Sequence, residues 1–230
     1  MPLLGKGVAA IWHNVAPDIQ SDYNRWHCSE HMLERVGIDG FLRGRRYDAI
    51  NGKPQFFHFY ETTTLAVLTS PAYMQRLNNP TPWTQSIGPN IENNNRTLSQ
   101  VVHSVGCGVG AAILTIRMVA NHDREIDFFR WVSQELFPFI NKEPGVVAAH
   151  LLKGDKQASE TETEEKAMRE KPDEVTDWII FIESIDEKTL LQIWDNKYAS
   201  EEALIKNGAY SASIGTYKLH FSLSTEDLIK

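Results

Sequence analysis

The chain has 230 residues, of which 42% are hydrophobic and 23% charged, an ordinary globular composition that excludes disordered, collagen-like and coiled-coil classes. Its net charge of −7 offers no basic footprint for nucleic acid or an anionic membrane surface, and no run approaches the ~18 apolar residues of a membrane span. The start MPLLGKGVAAIWHNV lacks the layout of a signal peptide, and Cys28 and Cys107 have no paired spacing for zinc or a disulfide, so a cytoplasmic protein is expected.

In chain order, residues 5–15 read as a strand that ends near Pro17-Asp18, and residues 19–35 carry apolar side chains at helical spacing, with Gly37 and Gly40 at the exit. Arg43 to Ile50 and Gln55 to Glu61 read as two strands joined by Asn51-Gly52-Lys53-Pro54, since Asn-Gly suits a tight hairpin whose turn residues need positive φ. Thr64 to Leu77 is helical with a break at Ser70-Pro71. Asn78 to Arg96 is a Pro-rich extension carrying Trp83, either a lid or a connecting loop, and Thr97 to Val105 closes the unit as a strand. The remainder reads as strand 109–119, helix 123–141, strands 146–153 and 176–184, helix 187–197 and strand 211–223.

The second half repeats the first. A constant offset of 105 aligns Asp22 with Asp127, Arg25 with Arg130, Trp26 with Trp131, Glu30 with Glu135 and Gly40 with Gly145, without a gap. Each half has the order β-α-β-β-α-β of the ferredoxin-like unit. A four-stranded sheet with helices on one face leaves its other face apolar and open, and a second copy covers it. The expected fold is therefore α+β, two ferredoxin-like βαββαβ repeats forming a pseudo-dimeric α/β barrel, with units 1–105 and 106–230.

The halves differ in ways that bear on function. Residues 155–174, DKQASETETEEKAMREKPDE, hold eight acids and four bases and almost nothing apolar, so they are expected to form a mobile, solvated hairpin tip or short frayed helix, a surface insertion in preference to a binding flap. In the first half His13, His27, Glu30 and His31 accompany Arg43, Arg45, Arg46, His58 and Tyr60 on the middle strands; at aligned positions the second half has Met118 for His13, Val132 for His27, Leu136 for His31 and Ala148 for Arg43. A duplicated scaffold keeps its packing without keeping its site. The 1–105 unit is the expected holder of a ligand pocket.

Trp26, Glu30-His31 and Asp39-Gly40-Phe41 resemble the EthD-like branch of the dimeric α/β-barrel superfamily, with its aromatic, its Glu-His on the first helix and its turn into the second strand. Arg45-Arg46-Tyr47, Phe59-Tyr60-Glu61, Ser70-Pro71-Ala72-Tyr73 and Asn79-Pro80-Thr81-Pro82-Trp83-Thr84 also resemble bacterial members. The turn has Asp where the family favours Pro, and the likeness is stronger over 5–105 than over 106–230. The resemblance implies a small, largely apolar or aromatic ligand between sheet and helices. Members include cofactor-free monooxygenases, polyketide cyclases, lactone isomerases and haem-handling enzymes, so the resemblance does not select a reaction.

His31 or His13 is the candidate general acid/base, with Arg45, or Arg43 on the same strand face, holding a carboxylate or enolate oxygen. Tyr60 and His58 share a strand face by period two, and Trp26 and Trp83 offer flat surfaces, although Trp26, repeated as Trp131, also reads as core. His27-Cys28-Ser29-Glu30-His31 matches H-x-x-E-H, in which His27, Glu30 and His31 would grip a metal. The repeat retains Glu135 without the histidines, which favours a structural carboxylate, and no metal site is assigned. No nucleophile elbow, P-loop or dinucleotide fingerprint occurs, and nothing marks a haem ligand. The leading expectation is an enzyme of isomerase, cyclase or oxygenase type acting on a small aromatic or polyketide-like carbonyl compound without organic cofactor. A non-catalytic small-ligand-binding protein is the first alternative and a metalloprotein the second. The pseudo-dimer could associate further as a homodimer.

Overall fold

The computed structural model describes residues 3–195 and 200–228. The first repeat runs β1 (Gly7–Val15), α1 (Gln20–Trp26), a π-helical turn (His27–His31), α2 (Met32–Val36), β2 (Phe41–Gly52), β3 (Phe56–Thr62), α3 (Pro71–Leu77), α4 (Pro82–Ile87) and β4 (Ile91–Gly106). The second runs β5 (Ala112–Ala120), α5 (Glu125–Trp131), a second π turn (Val132–Leu136), α6 (Phe137–Ile140), β6 (Val146–Gly154), α7 (Lys156–Ser159), α8 (Glu164–Ala167), β7 (Trp178–Ser184), α9 (Glu187–Trp194), α10 (Glu201–Lys206) and β8 (Ala209–Ser224). The expected break at Ser70-Pro71 is present: Ser70 is extended and caps α3 by accepting from the Tyr73 amide. The final residues of the helix expected over 187–197 lie outside the described residues.

The strands close a barrel in the order β1-β3-β2-β8-β5-β7-β6-β4. Each repeat keeps the ferredoxin-like order within its own sheet, and the two sheets join edge to edge through β2–β8 and β4–β6, all antiparallel. Closure removes the exposed edges that a four-stranded sheet would leave. Because side chains alternate along a strand, the barrel has two cores. Val8, Ala10, Trp12, Tyr47, Phe57, Phe59, Phe181 and Tyr217 fill the interior, whereas Ala9, Ile11 and Tyr60 pack outward against the helices of the first repeat.

Two expectations are corrected. Strand β4 begins at Ile91, not Thr97, so Asn94 and Arg96 belong to the sheet and not to a loop; its first residues pair with β1 as far as Val15. The 155–174 segment, expected to be a solvated tip, keeps about half of its residues exposed but is seated over the first repeat. Leu98 donates its amide to Ser159 Oγ at 2.9 Å and accepts from the Asp155 amide at 2.7 Å, and Glu174 exchanges backbone bonds with Asn94 and Arg96 at 2.9 and 3.0 Å. Gly88 lets Met168 approach so closely that a Cβ there would fall 2.8 Å from its sulfur. Composition predicted exposure because the acids outnumber the apolar residues, but backbone pairing along β4 and a few inward side chains suffice to seat the segment.

Candidate functional site

The first repeat holds a cavity between the outward face of its sheet and its helices, lined by side chains that include His13, Trp26, His27, His31, His58 and Tyr60. The strand positions follow from register. Ile11 stands opposite His58, Ala9 opposite Tyr60 and His13 opposite Phe56, so all of these face the helix layer. The π turn contributes His27 and His31, whose ring centres lie 5.5 Å apart. Such turns are rare and often mark functional sites, yet this one recurs at Val132–Leu136. It is therefore a property of the duplicated scaffold, and the side chains on it make the difference.

The rings form a continuous cluster: His27 to His58 at 4.6 Å, His13 to His58 at 5.2 Å, Trp26 to His31 at 4.3 Å and His58 to Tyr60 at 5.7 Å between centres. His13 Nε2 and the Tyr23 hydroxyl are 2.8 Å apart. With the hydroxyl donating, the His13 proton sits on Nδ1. Among the described residues His13 Nδ1, both His27 nitrogens, His31 Nδ1, His58 Nδ1, Arg35 Nη1 and the Tyr60 hydroxyl are buried without a hydrogen-bond partner. Native structures leave few such groups, and seven around one cavity form a polar surface unsatisfied by the protein itself.

Burial, reinforced by Arg46 and Arg169, pushes His13 down to about 3. Burial is also the main cause that holds His27, His31 and His58 well below the usual imidazole range, with neighbouring histidines and arginines adding to it. All four are neutral near pH 7, each offering one donor and one acceptor. Burial raises Tyr60 well above its ordinary value, so its hydroxyl stays a donor. In the second repeat the equivalent positions are Met118, Val132, Leu136, Ile180 and Ile182, all inside an apolar core.

Arg45, expected in the site, points the other way. β2 pairs with β3 so that Arg46 stands opposite His58 and Arg45 opposite Phe59, which puts Arg45 in the barrel interior. There Nη1 donates to Glu183 Oε2 at 2.8 Å and Nε lies 3.3 Å from Glu61. Arg43 grips the same Glu61 at 2.7 Å. Arg46 faces the helices, bonded to Asn24 and stacked over Tyr23 and Phe56. Glu30 turns from the histidines and accepts from Thr81 Oγ1 at 2.6 Å, so the H-x-x-E-H residues do not converge; among the described residues no group of three or more His, Cys, Asp or Glu is arranged to hold a metal ion. Trp83 is half-buried, bonded to Asp22 at 3.2 Å and packed on the Val15–Tyr23–Trp26 cluster; its neighbour Thr84 lines the cavity instead.

Sequence reasoning missed Arg35, Tyr73, Asn94, Arg96, Glu165 and Arg169, all on the cavity wall. One signal was available: His27, His31 and Arg35 recur every four residues and so share a helix face. Arg35 is 1% exposed and paired with Glu165 from the 155–174 segment. Arg169 forks onto Asp173 with two bonds of 2.7 Å. The site thus draws on both repeats. The cavity volume is about 70 Å³, several times the ~10–15 Å³ that one water needs.

The chain has the fold of the dimeric α/β-barrel proteins, with both ferredoxin-like units in one polypeptide. No family model matches it, nor does any curated protein. Solved structures do. An anthrone oxidase-like protein superposes with a TM-score of 0.65 at 12% identity, over 95% of this chain and 92% of the other. A protein from Fusobacterium nucleatum subsp. nucleatum, provisionally assigned as a monooxygenase, gives 0.62 at 11% identity over 96% of each chain. Another so assigned, from Lactobacillus acidophilus, gives 0.59 at 9% identity over 96% of this chain and 97% of that one. Identities of this size establish the shared fold and leave the reaction to the site. Among the described residues no helix is long and apolar enough to cross a membrane.

Proposed function

We propose that the chain is an enzyme of the EthD-like branch that binds a small, planar carbonyl compound in the cavity of residues 1–105 and transfers a proton on it, with residues 106–230 serving as scaffold and cover. One observation carries this reading: seven buried, unpartnered polar atoms surround the cavity, while the equivalent side chains of the second repeat are apolar. A fold needs no such cluster for stability, as the second repeat demonstrates, so a ligand is its most economical explanation. The flat walls of Trp26 and the imidazoles suit an aromatic or conjugated body.

The chemistry follows from the protonation states. Tyr60, held protonated by burial, donates to a ligand carbonyl oxygen and stabilises negative charge developing there. A neutral imidazole, His31 beside Tyr60, or His13 in the tautomer whose Nε2–H donates to Tyr23 and leaves Nδ1 free, accepts the proton from the adjacent carbon. The product is an enolate, the common first species for isomerisation, for cyclisation and for attack on dioxygen by an electron-rich ring. The neighbours named as monooxygenases and as anthrone oxidase-like are compatible with the last. Free thiols at Cys28 and Cys107 suit work in the reducing cytoplasm.

The test is solvent-deuterium exchange and oxygen uptake with one- and two-ring phenols and cyclic ketones. Exchange or uptake that disappears in His13→Leu, His31→Leu and Tyr60→Phe is expected. Tight binding with neither exchange nor uptake would replace the enzyme by the second reading, a non-catalytic binding protein, which the low basicity of His13 favours.

A further inference from the structure

We infer that the pocket takes a monoanion, a small aromatic or unsaturated carboxylate, and that Arg96 is the residue that holds its carboxylate; this rests on the reading of the cavity as a small-ligand site. Three guanidinium groups line the cavity, from Arg35, Arg96 and Arg169. Two are matched: Arg35 by Glu165 and Arg169 by a bidentate pair with Asp173. Arg96 is not. It is 9% exposed, on β4 opposite Ile11, and its Nη2 donates at 3.2 Å to the Tyr73 hydroxyl oxygen. No carboxylate among the described residues lies within ion-pair distance of it, the acids nearest in its field being the engaged Asp173 and Glu165.

An arginine cannot shed its proton in a protein, so this charge stays in the wall. Burying an ion without a counter-ion costs several kcal/mol. The four imidazoles are neutral and offer no compensation. Glu165 and Asp173 cancel two of the three charges, and Glu34, 3.7 Å from Arg35, is itself paired with Arg76 at 2.9 Å, so the three arginines and their partners leave one excess positive charge, which a monoanion cancels and a phosphate dianion overshoots. A guanidinium fork fits a carboxylate through two parallel hydrogen bonds, and Arg35 Nη1 is a further donor without a hydrogen-bond partner. The rest of the wall, including Ile11, Trp26 and Leu77, is apolar or aromatic and suits the ligand's body. The anion would also act on the histidines, since a negative charge nearby favours imidazolium. A bound carboxylate thus turns weak bases into stronger ones, so proton transfer would wait for the ligand.

The experiment compares benzoate with benzamide, nearly identical in shape but differing in charge, by calorimetric titration of the full chain at pH 7.5. Benzoate is expected to bind at least about tenfold more tightly. Arg96→Gln should remove that advantage by weakening benzoate far more than benzamide, and Arg96→Lys should restore part of it. Equal affinities in the unmodified protein, a comparison that depends on no variant folding, would overturn the carboxylate assignment while leaving the small-ligand reading in place. A benzoate preference that survives Arg96→Gln would overturn the role of Arg96. Failure of both probes to bind would overturn this inference and the cavity's reading together.

Discussion

At the residue scale the histidine cluster is a stability cost, which the proposed ligand site would explain. His27 is fully buried and neither of its nitrogens has a partner; an unsatisfied buried group costs about 1–3 kcal/mol, and the second repeat has Val132 at that position. Replacing His27 with Leu is expected to raise stability by about 1 kcal/mol in urea melts while weakening ligand binding. Lower stability would mean that the imidazole already has its partners. The same burial makes the fold acid-sensitive. His13 titrates near 6.5 in the unfolded chain and at about 3 in the folded one, and the other three cluster histidines are shifted in the same direction. Between those values the unfolded chain binds protons that the folded chain refuses. Stability is therefore full above 6.5 and declines as pH falls toward 3, by up to about 1.4 kcal/mol per pH unit for each such histidine. Urea melts from pH 7.5 to 4.5 measure this slope, which should be shallower in His27→Leu. A flat profile would show that the cluster is already protonated or solvated.

At the element scale the 155–174 segment and the β2–β3 hairpin show where patterning stops being informative. The histidines were legible because losing them changes residue type between aligned positions. The arginines were not, because strand parity turns on one residue. A two-residue Asn51-Gly52 turn would set Arg45 opposite His58; the Ala49 amide instead bonds to Gln55 at 2.8 Å, the register moves by one, and Arg46 takes the outward face. Arg96 and Arg169 were hidden differently, one inside an apparent loop that is strand β4, the other inside an insertion whose composition says solvent. The segment's seating is testable through Glu165, whose carboxylate partners the buried Arg35. Glu165→Gln leaves that guanidinium only Glu34, 3.7 Å away and shared with Arg76, and should cost about 2 kcal/mol, seen as a fall in the urea midpoint. An effect below about 0.5 kcal/mol would indicate a surface pair and a segment that is not seated.

At the scale of the whole molecule the two repeats are interdependent. Arg45 of the first, itself 3.3 Å from Glu61, reaches Glu183 of the second, which also lies 3.4 Å from His150 and accepts the Gly110 amide at 2.9 Å. Register makes Glu61 and Glu183 counterparts, opposite Val8 and Ile113 respectively. A separated half would expose its interior aromatics and two unpaired strand edges. Residues 1–107 or 108–230 expressed alone should aggregate, whereas co-expressed halves should elute as a one-to-one complex in light-scattering chromatography; a folded monomeric half would refute this interdependence. The duplication and the barrel were readable because they repeat over a hundred residues, but the insertion's crossing from one repeat to the other was not, since no local pattern encodes where a loop lands. That crossing bears on symmetry. Two identical subunits would each have to be both active centre and cover for the other, so any change improving one task would be imposed on both. Within a single polypeptide the tasks are uncoupled: the helix-side core of the second repeat is free to become apolar while its insertion covers the first, and the proposed function then predicts a single binding event per chain, hyperbolic and without cooperativity between lobes.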